Sequence, residues 1–327
     1  ITTLSKVHMM IHKVDYNLMY ELLIYISTSE YFKDGGSVLC FLPGWEEISS
    51  MKKLLTQQRS QFNDRGKNVI ILPLHSCISK EQQMEIFKPI KSSNDIKIIL
   101  STNIAETSIT IPDVSVVIDS GRQKEKFYDP YTKLCYLKGA YISKSSAMQR
   151  KGRAGRVKVG VIFRLYSKKR YQYLPDFEES ELSKTPLENL LLQIQSFGLC
   201  PGKGDDDHSI KDFLGGALDP PKEISINHAI KLLKRPMNCF DEKEQITSLG
   251  VICSQFPLEP QVSRTILLGC LFGCATHVLQ AACIMCYRDP FLVGQNDEEK
   301  IRINKTKYYF SKQIPSDVAS LLNIYNE

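Results

Sequence analysis

Gln149, Arg153 and Arg156 stand at Q-x-x-x-R-x-x-R spacing in the octamer Gln149-Arg150-Lys151-Gly152-Arg153-Ala154-Gly155-Arg156. Residues three and four apart meet on one face of a helix or tight turn. A guanidinium is a planar fork that matches phosphate oxygens and keeps its charge at any working pH. Two forks beside a glutamine can stabilise a transferring γ-phosphoryl group and orient an attacking water. The intervening glycines remove bulk where a backbone must approach a ligand or a neighbouring domain. A solvated basic loop is the plainer account of such a string. Two observations favour chemistry. A second polar motif, Ser101-Thr102-Asn103-Ile104-Ala105-Glu106-Thr107-Ser108-Ile109-Thr110-Ile111, follows the apolar run Ile96–Leu100. The segment Pro130–Pro175 holds twelve lysines and arginines and no acid, in a chain whose net charge is only +6.

These residues must be positioned by something, and the apolar pattern says what. Runs at Val38–Leu42, Val69–Leu74, Ile96–Leu100, Val114–Ile118 and Gly160–Tyr166 read as strands. Helical patterns lie between them: a helix capped by Asp15, one over Trp45–Gln57 and one over Lys80–Phe87. Alternating strands and helices predict an α/β domain with a parallel sheet covered on both faces. Both polar motifs near Gly44 and Thr102 follow strand ends, where such sheets bind ligands. Lys126 to Lys138 alternates aromatic and polar residues around Asp129-Pro130 and reads as a β-hairpin. Interleaved bases and aromatics suit single-stranded nucleic acid, although a plain edge hairpin has the same pattern. Charge reverses from Lys168-Lys169-Arg170 to Asp176–Glu181, which marks a domain boundary. Helices are expected at Pro186–Phe197 and Ile226–Leu233, and throughout the chain from about Thr247.

The two polar motifs resemble motifs V and VI of the DEAH/RNA-helicase-A family of superfamily 2 ATP-dependent RNA helicases. Phe41-Leu42-Pro43-Gly44 resembles motif IV, and Leu72–Ser76 with Glu81–Pro89 agrees in order and spacing. Further matches are Lys184–Glu188, Ala217–Pro221 and Leu249–Leu258. Tyr287-Arg288-Asp289-Pro290-Phe291 is most similar to the branch with G-quadruplex-resolving and YTH-domain helicases. The resemblance implies a second RecA-like domain over residues 1–170, a winged helix over 171–246 and part of a helical ratchet domain over 247–327.

By that resemblance ATP, with Mg²⁺, is the cofactor. Gln149 positions water, and Arg153 and Arg156 act as arginine fingers. Ser108 senses the γ-phosphate and Phe87 stacks on adenine, while burial in a helix core is the ordinary fate of such a phenylalanine. Asp113 is carried to the nucleotide. It follows Pro112, which stands where many members have an acidic or amide side chain. RNA is the expected partner, held through its backbone by Gly44, Trp45, Thr102, Asn103, Thr107, Lys126 and Lys133 without a sequence code. G-quadruplexes and DNA are weaker alternatives, and protein activators are left open.

Absences are equally informative. No G-x-x-x-x-G-K-[ST] loop occurs, and no DExH box follows a strand. In the family those parts lie in the preceding domain and hold the Mg²⁺, so the chain reads as half of a composite site within a longer protein. An RNA-binding adaptor on a degenerate helicase scaffold is the alternative from another class. Asp205-Asp206-Asp207-His208 follows Pro201-Gly202-Lys203-Gly204 and not an apolar strand, so it reads as a solvated loop. Ten scattered cysteines without a secretory signal suggest a reducing compartment, cytosol or nucleus, with thiols mostly buried. Cys270, Cys274, Cys283 and Cys286 read as buried thiols in helices and not as a metal site. His75 takes a structural place near a strand end. The apolar stretch Thr265–Tyr287, broken by His277 and Gln280, reads as a buried helical pair and not a membrane span.

Overall fold

The computed structural model describes residues 14–30, 36–90, 92, 94–107, 110–155, 159–200, 209–286, 297–312 and 316–326. The chain forms two compact units, one from Ile1–Lys126 with Leu137–Glu178, the other from Phe127–Tyr136 with Glu179–Glu327.

The first unit is built on a parallel sheet. Its strands are β1 (Gly36–Phe41), β2 (Asn68–Leu74), β3 (Asp95–Ser101), β4 (Val114–Asp119) and, after an intervening hairpin, β7 (Val161–Arg164). They lie in the order β2-β3-β1-β4-β7, all parallel. All five strand expectations fall on these elements. β-Branched residues crowd β3 and β4 because both faces of such strands are covered. Alternate side chains divide the core in two. Val38, Cys40, Ile96, Ile98, Leu100, Val116 and Ile118 pack with Met19, Leu23, Ile48, Met51 and Phe62. On the other face Leu39, Phe41, Ile99, Val114 and Val117 lie under Ile86, Ala105 and Ile111, with Ala154 packed alongside.

Helix Tyr16–Thr28 starts where the Asp15 side chain accepts the Leu18 N–H, and helix Trp45–Gln57 follows Gly44. The helix expected over Lys80–Phe87 is α-helical only to Met84 and tightens into a 3-10 turn at Glu85–Phe87. Pro89 explains the change: its ring drives Lys88 to extended backbone, with ψ 131°, and ends the coil.

The hairpin between the motifs is real: β5 (Arg122–Asp129) and β6 (Leu134–Tyr141) form their own two-stranded sheet. Asp129 accepts the Tyr131 N–H and the Thr132 hydroxyl, and Lys133 completes the turn at φ 58°. The tip, Phe127–Tyr136, groups with the second unit. There Pro130 O lies 2.9 Å from His228 Nδ1, and Tyr131 meets the His228 ring edge-on at 5.4 Å.

In the second unit helices Glu188–Ser196, Ile210–Gly215, Glu223–Lys234 and Ser248–Ser254 enclose Leu191, Leu192, Ile230, Leu233, Phe240 and Cys253. One antiparallel bridge joins Phe240 and Ile246. The apolar stretch from Thr265 divides into helices Pro260–Leu271 and Ala275–Cys286, turning at Gly273 with φ +70°. Among the described residues no helix is long and apolar enough to cross a membrane. These two helices touch along a narrow stripe, with Gly269 pressed on Val278 and only Ala282 buried in the second. Cys270, Cys274, Cys283 and Cys286 fall off that stripe and are exposed, which corrects the expectation of buried thiols. Of ten cysteines only Cys40, Cys200, Cys239 and Cys253 are buried.

Candidate nucleotide and nucleic-acid sites

Helix Lys144–Lys151 begins where the Ser143 side chain accepts the Ser146 N–H. Ser146, Ala147 and Arg150 form its buried face, while Gln149 looks out to solvent. The helix stops at Gly152, and Arg153 N–H bonds Arg150 O at 3.1 Å. Gln149 therefore sits on a helix and Arg153, half-buried, in the turn beyond it, so a shared helical face is not what aligns them. That turn folds against the entry to β7: a Cβ on Gly160 would lie 2.3 Å from Gly155 N. Glycine is the residue that permits this approach. Arg156 and Ser108 lie outside the described residues, as do Asp205–His208 and Tyr287–Phe291.

The arginine that the spacing argument passes over is the one most deeply built in. Arg150 is fully buried. Its Nε lies 3.0 Å from Glu106 Oε2 and its Nη1 2.8 Å from Asp119 Oδ1, and Nη1 also donates to Arg122 O. Its guanidinium covers the Phe41 ring at 4.8 Å. A buried guanidinium is tolerated only when its donors are met, and here two carboxylates and a carbonyl meet them. Glu106 also accepts from the Ser146 hydroxyl, and Glu178 lies 2.9 Å from the same hydroxyl. One network thus ties the helix Ile104–Thr107 to the helix bearing Gln149. The available sequence signal was Glu106, a carboxylate within an apolar turn, with Arg150 one helical turn beyond Ser146 on the buried face.

Phe87 closes the 3-10 turn with its ring 37% exposed while its neighbour Ile86 is fully buried. It is a surface aromatic, not a core residue. Asp113 precedes β4, and its carboxylate is turned inward: neither oxygen is open to solvent. Oδ2 lies 2.7 Å from Lys97 Nζ, an ion pair in which neither oxygen accepts an aligned hydrogen bond among the described residues. Lys97, buried within β3, was not singled out by the sequence.

Four of the nucleic-acid candidates, Gly44, Trp45, Thr102 and Asn103, lie at the carboxyl ends of strands. β1 leads to Gly44 and Trp45, while adjacent β3 leads to Thr102 and Asn103. Asn103 and Thr107 are exposed, Thr102 and Trp45 half-buried. Trp45 packs on His75 at 5.6 Å, and His75 Nδ1 accepts the Cys77 N–H. Burial, with Lys124 nearby, pushes the His75 imidazole below its ordinary pKa. A Cβ on Gly44 would meet the Lys124 side chain at 2.9 Å, and Lys124 reaches Glu47 at 3.5 Å. Lys126 and Lys133 are exposed on the hairpin. A cavity of about 310 Å³ beside Ser120, Arg122, Tyr141 and Arg170 is lined by none of the candidate nucleotide or nucleic-acid residues. Among the described residues no group of three or more histidine, cysteine or acidic side chains is arranged to hold a metal ion.

The sheet thus separates two sets. Asp113 precedes β4, and Gly155 lies against Gly160 just before β7, at the amino ends of those strands. Gly44, Trp45, Thr102 and Asn103 follow strands, at their carboxyl ends.

Comparison with known proteins agrees with this architecture. Residues 17–158 match the helicase conserved C-terminal domain. Residues 259–320 match the ratchet-like helicase-associated domain. The chain is similar to the DExH-box ATP-dependent RNA helicase DExH1 of Arabidopsis thaliana, 38% identical over 89% of this chain and 28% of that protein. It is 38% identical to the ATP-dependent DNA/RNA helicase DHX36 of Homo sapiens over 96% of this chain and 29% of that protein. It is 37% identical to the ATP-dependent RNA helicase DHX29 of Mus musculus over 88% of this chain and 20% of that protein. The chain therefore spans less than a third of the length of these relatives.

Proposed function

We propose, from the match of residues 17–158 to the helicase conserved C-terminal domain and of residues 259–320 to the ratchet-like helicase-associated domain, that this chain belongs to the DEAH/RNA-helicase-A family and is the C-terminal part of an ATP-dependent RNA helicase, with its second RecA-like domain. The intact protein closes two RecA-like domains on ATP and Mg²⁺ and moves along single-stranded RNA. This part contributes Gln149 to position water, Arg153 and Arg156 to stabilise charge on the transferring phosphoryl group, Ser108 to sense it and Phe87 to stack on the base. Gly44, Trp45, Thr102, Asn103, Thr107, Lys126 and Lys133 hold the RNA backbone. Mg²⁺ is held mainly by the preceding domain. The working compartment is cytosol or nucleus.

The observation that carries this reading is the buried Glu106–Arg150 pair. It fixes the segment with the RNA candidates Thr102, Asn103 and Thr107 to the helix with the ATP candidate Gln149. A protein that spends ATP to move on RNA needs the two sites joined by something rigid. An adaptor that only binds RNA has no use for the Gln149/Arg153 pair at the end of such a linkage.

The test is Arg153→Ala in the intact protein. An enzyme loses RNA-stimulated ATP hydrolysis by roughly 10³-fold or more, with RNA affinity in the absence of nucleotide unchanged. An adaptor keeps its whole activity. The relative named a DNA/RNA helicase favours testing nucleic-acid choice directly: single-stranded RNA, DNA and G-quadruplexes of each compete for the protein, and RNA is expected to win.

A further inference from the structure

We propose that Lys97 is a positioning residue for nucleotide binding, fixing Phe87 from inside the sheet for stacking on the base, with Asp113 as its buried counter-charge rather than a direct nucleotide ligand. The proposal rests on the ATP-dependent reading above.

Lys97 is the third residue of β3, set among Ile96, Ile98, Ile99 and Leu100, and it is 2% exposed. An ammonium in that setting is costly unless its protons are met. Two carbonyls accept from it and a carboxylate balances its charge. Nζ donates to Ile86 O at 2.8 Å and Lys88 O at 2.9 Å, and lies 2.7 Å from Asp113 Oδ2. The two carbonyls flank Phe87 in sequence. They belong to the end of the 3-10 turn, where carbonyls lack partners within the coil and a cation is favoured. Lys97 therefore clamps the backbone on both sides of an exposed aromatic ring, while Ile86 anchors the same turn in the core. A ring held in place before the base arrives loses little freedom on binding.

Asp113 completes the clamp. Its oxygens are closed to solvent and face Lys97, so it acts through the lysine. Nothing near the turn in sequence announces this device, because the acceptors are 11 and 9 residues before Lys97 and the carboxylate lies beyond the next polar motif.

The experiment uses the intact protein with saturating RNA, and compares wild type, Phe87→Ala, Lys97→Met and the combination of the two. Lys97→Met is expected to raise KM for ATP roughly tenfold, about the value of one aromatic stack. The kcat stays within about twofold, because Gln149 and Arg153 are untouched. Phe87→Ala is expected to match it, and the double variant to be no worse than either, since both remove the same contact. Removing one charge strands the other in the core, so Lys97→Met with Asp113→Leu, which removes both, carries the test if the single variant does not fold. A fall in kcat at unchanged KM overturns the role of Lys97, as do additive effects of the two substitutions. A wild type that neither binds nor hydrolyses ATP overturns the parent reading and this one together. Wild-type turnover with a normal KM in Lys97→Met overturns this one alone.

Discussion

Arg150 Nη1 lies 2.8 Å from Asp119 Oδ1, and both side chains are shut away from water at the end of β4. Neither charge is affordable alone in that place. With Glu106 they form a buried triad that joins a strand end, a motif V turn and a motif VI helix. Removing one member of a buried pair leaves an uncompensated charge, at a cost of about 3–5 kcal/mol. Arg150→Met and Asp119→Asn are each expected to lower the stability of the first unit by about that amount, read as a shift in the denaturant midpoint. Arg150→Lys keeps the charge without the fork, and a smaller loss is expected. A midpoint unchanged in Arg150→Met refutes the triad as a structural element.

The isolated 327-residue chain is expected to hydrolyse ATP at background, with or without RNA. It has no phosphate loop to cradle the β-phosphate and no acidic box to hold Mg²⁺. A phosphate-release assay on the purified chain decides this. Robust turnover there sinks the composite-site argument.

RNA binding by the chain is expected to weaken steeply with salt, because the acid-free basic segment releases counterions from the phosphates it meets. Lys126→Ala and Lys133→Ala should each reduce the slope of log K against log salt by about 0.7 if each meets one phosphate of a single strand. Fluorescence anisotropy over a salt series measures it. A slope that neither substitution changes removes the hairpin from the RNA surface.

Glu188 opens the helix Glu188–Ser196 and is almost wholly buried. Burial pushes its carboxyl above the usual carboxylate range; its own N–H and Lys133 oppose that, and Glu259 adds to it. A raised folded pKa means that the folded protein holds the proton longer than the unfolded chain. Its stabilising contribution is present in acid and lost as pH rises through the folded value. Glu188→Gln is therefore expected to raise Tm at neutral pH, with the gain shrinking as pH falls through the carboxylate range. Melting curves from acid to neutral pH check the sign; a gain that grows toward acid contradicts it.

Much of the first unit is legible in the sequence. Trp45–Gln57 is the helix its pattern announces, and all five apolar runs are strands, because a parallel sheet covered on both faces demands short, nearly continuous apolar segments. The hairpin at Asp129-Pro130 followed from turn chemistry. Gln149 and Arg153 were found as a spacing, but their arrangement is a helix followed by a turn. Phe87 was ambiguous by sequence, and exposure decided that it is not core. Cys270, Cys274, Cys283 and Cys286 are exposed against expectation, since an apolar helix does not say which of its sides has a partner.

The sequence by itself determined the strands, most helix starts, the ordered motifs and the concentration of positive charge. Those are local properties, fixed by propensity, periodicity and spacing along the chain. Only the tertiary structure decided where two buried cations go. Arg150 meets carboxylates 44 and 31 residues before it, and Lys97 meets carbonyls and a carboxylate on either side of its strand. A charge is stable inside a protein only beside its counter-charge, and which counter-charge arrives there is set by the folding of the sheet, not by neighbours in sequence.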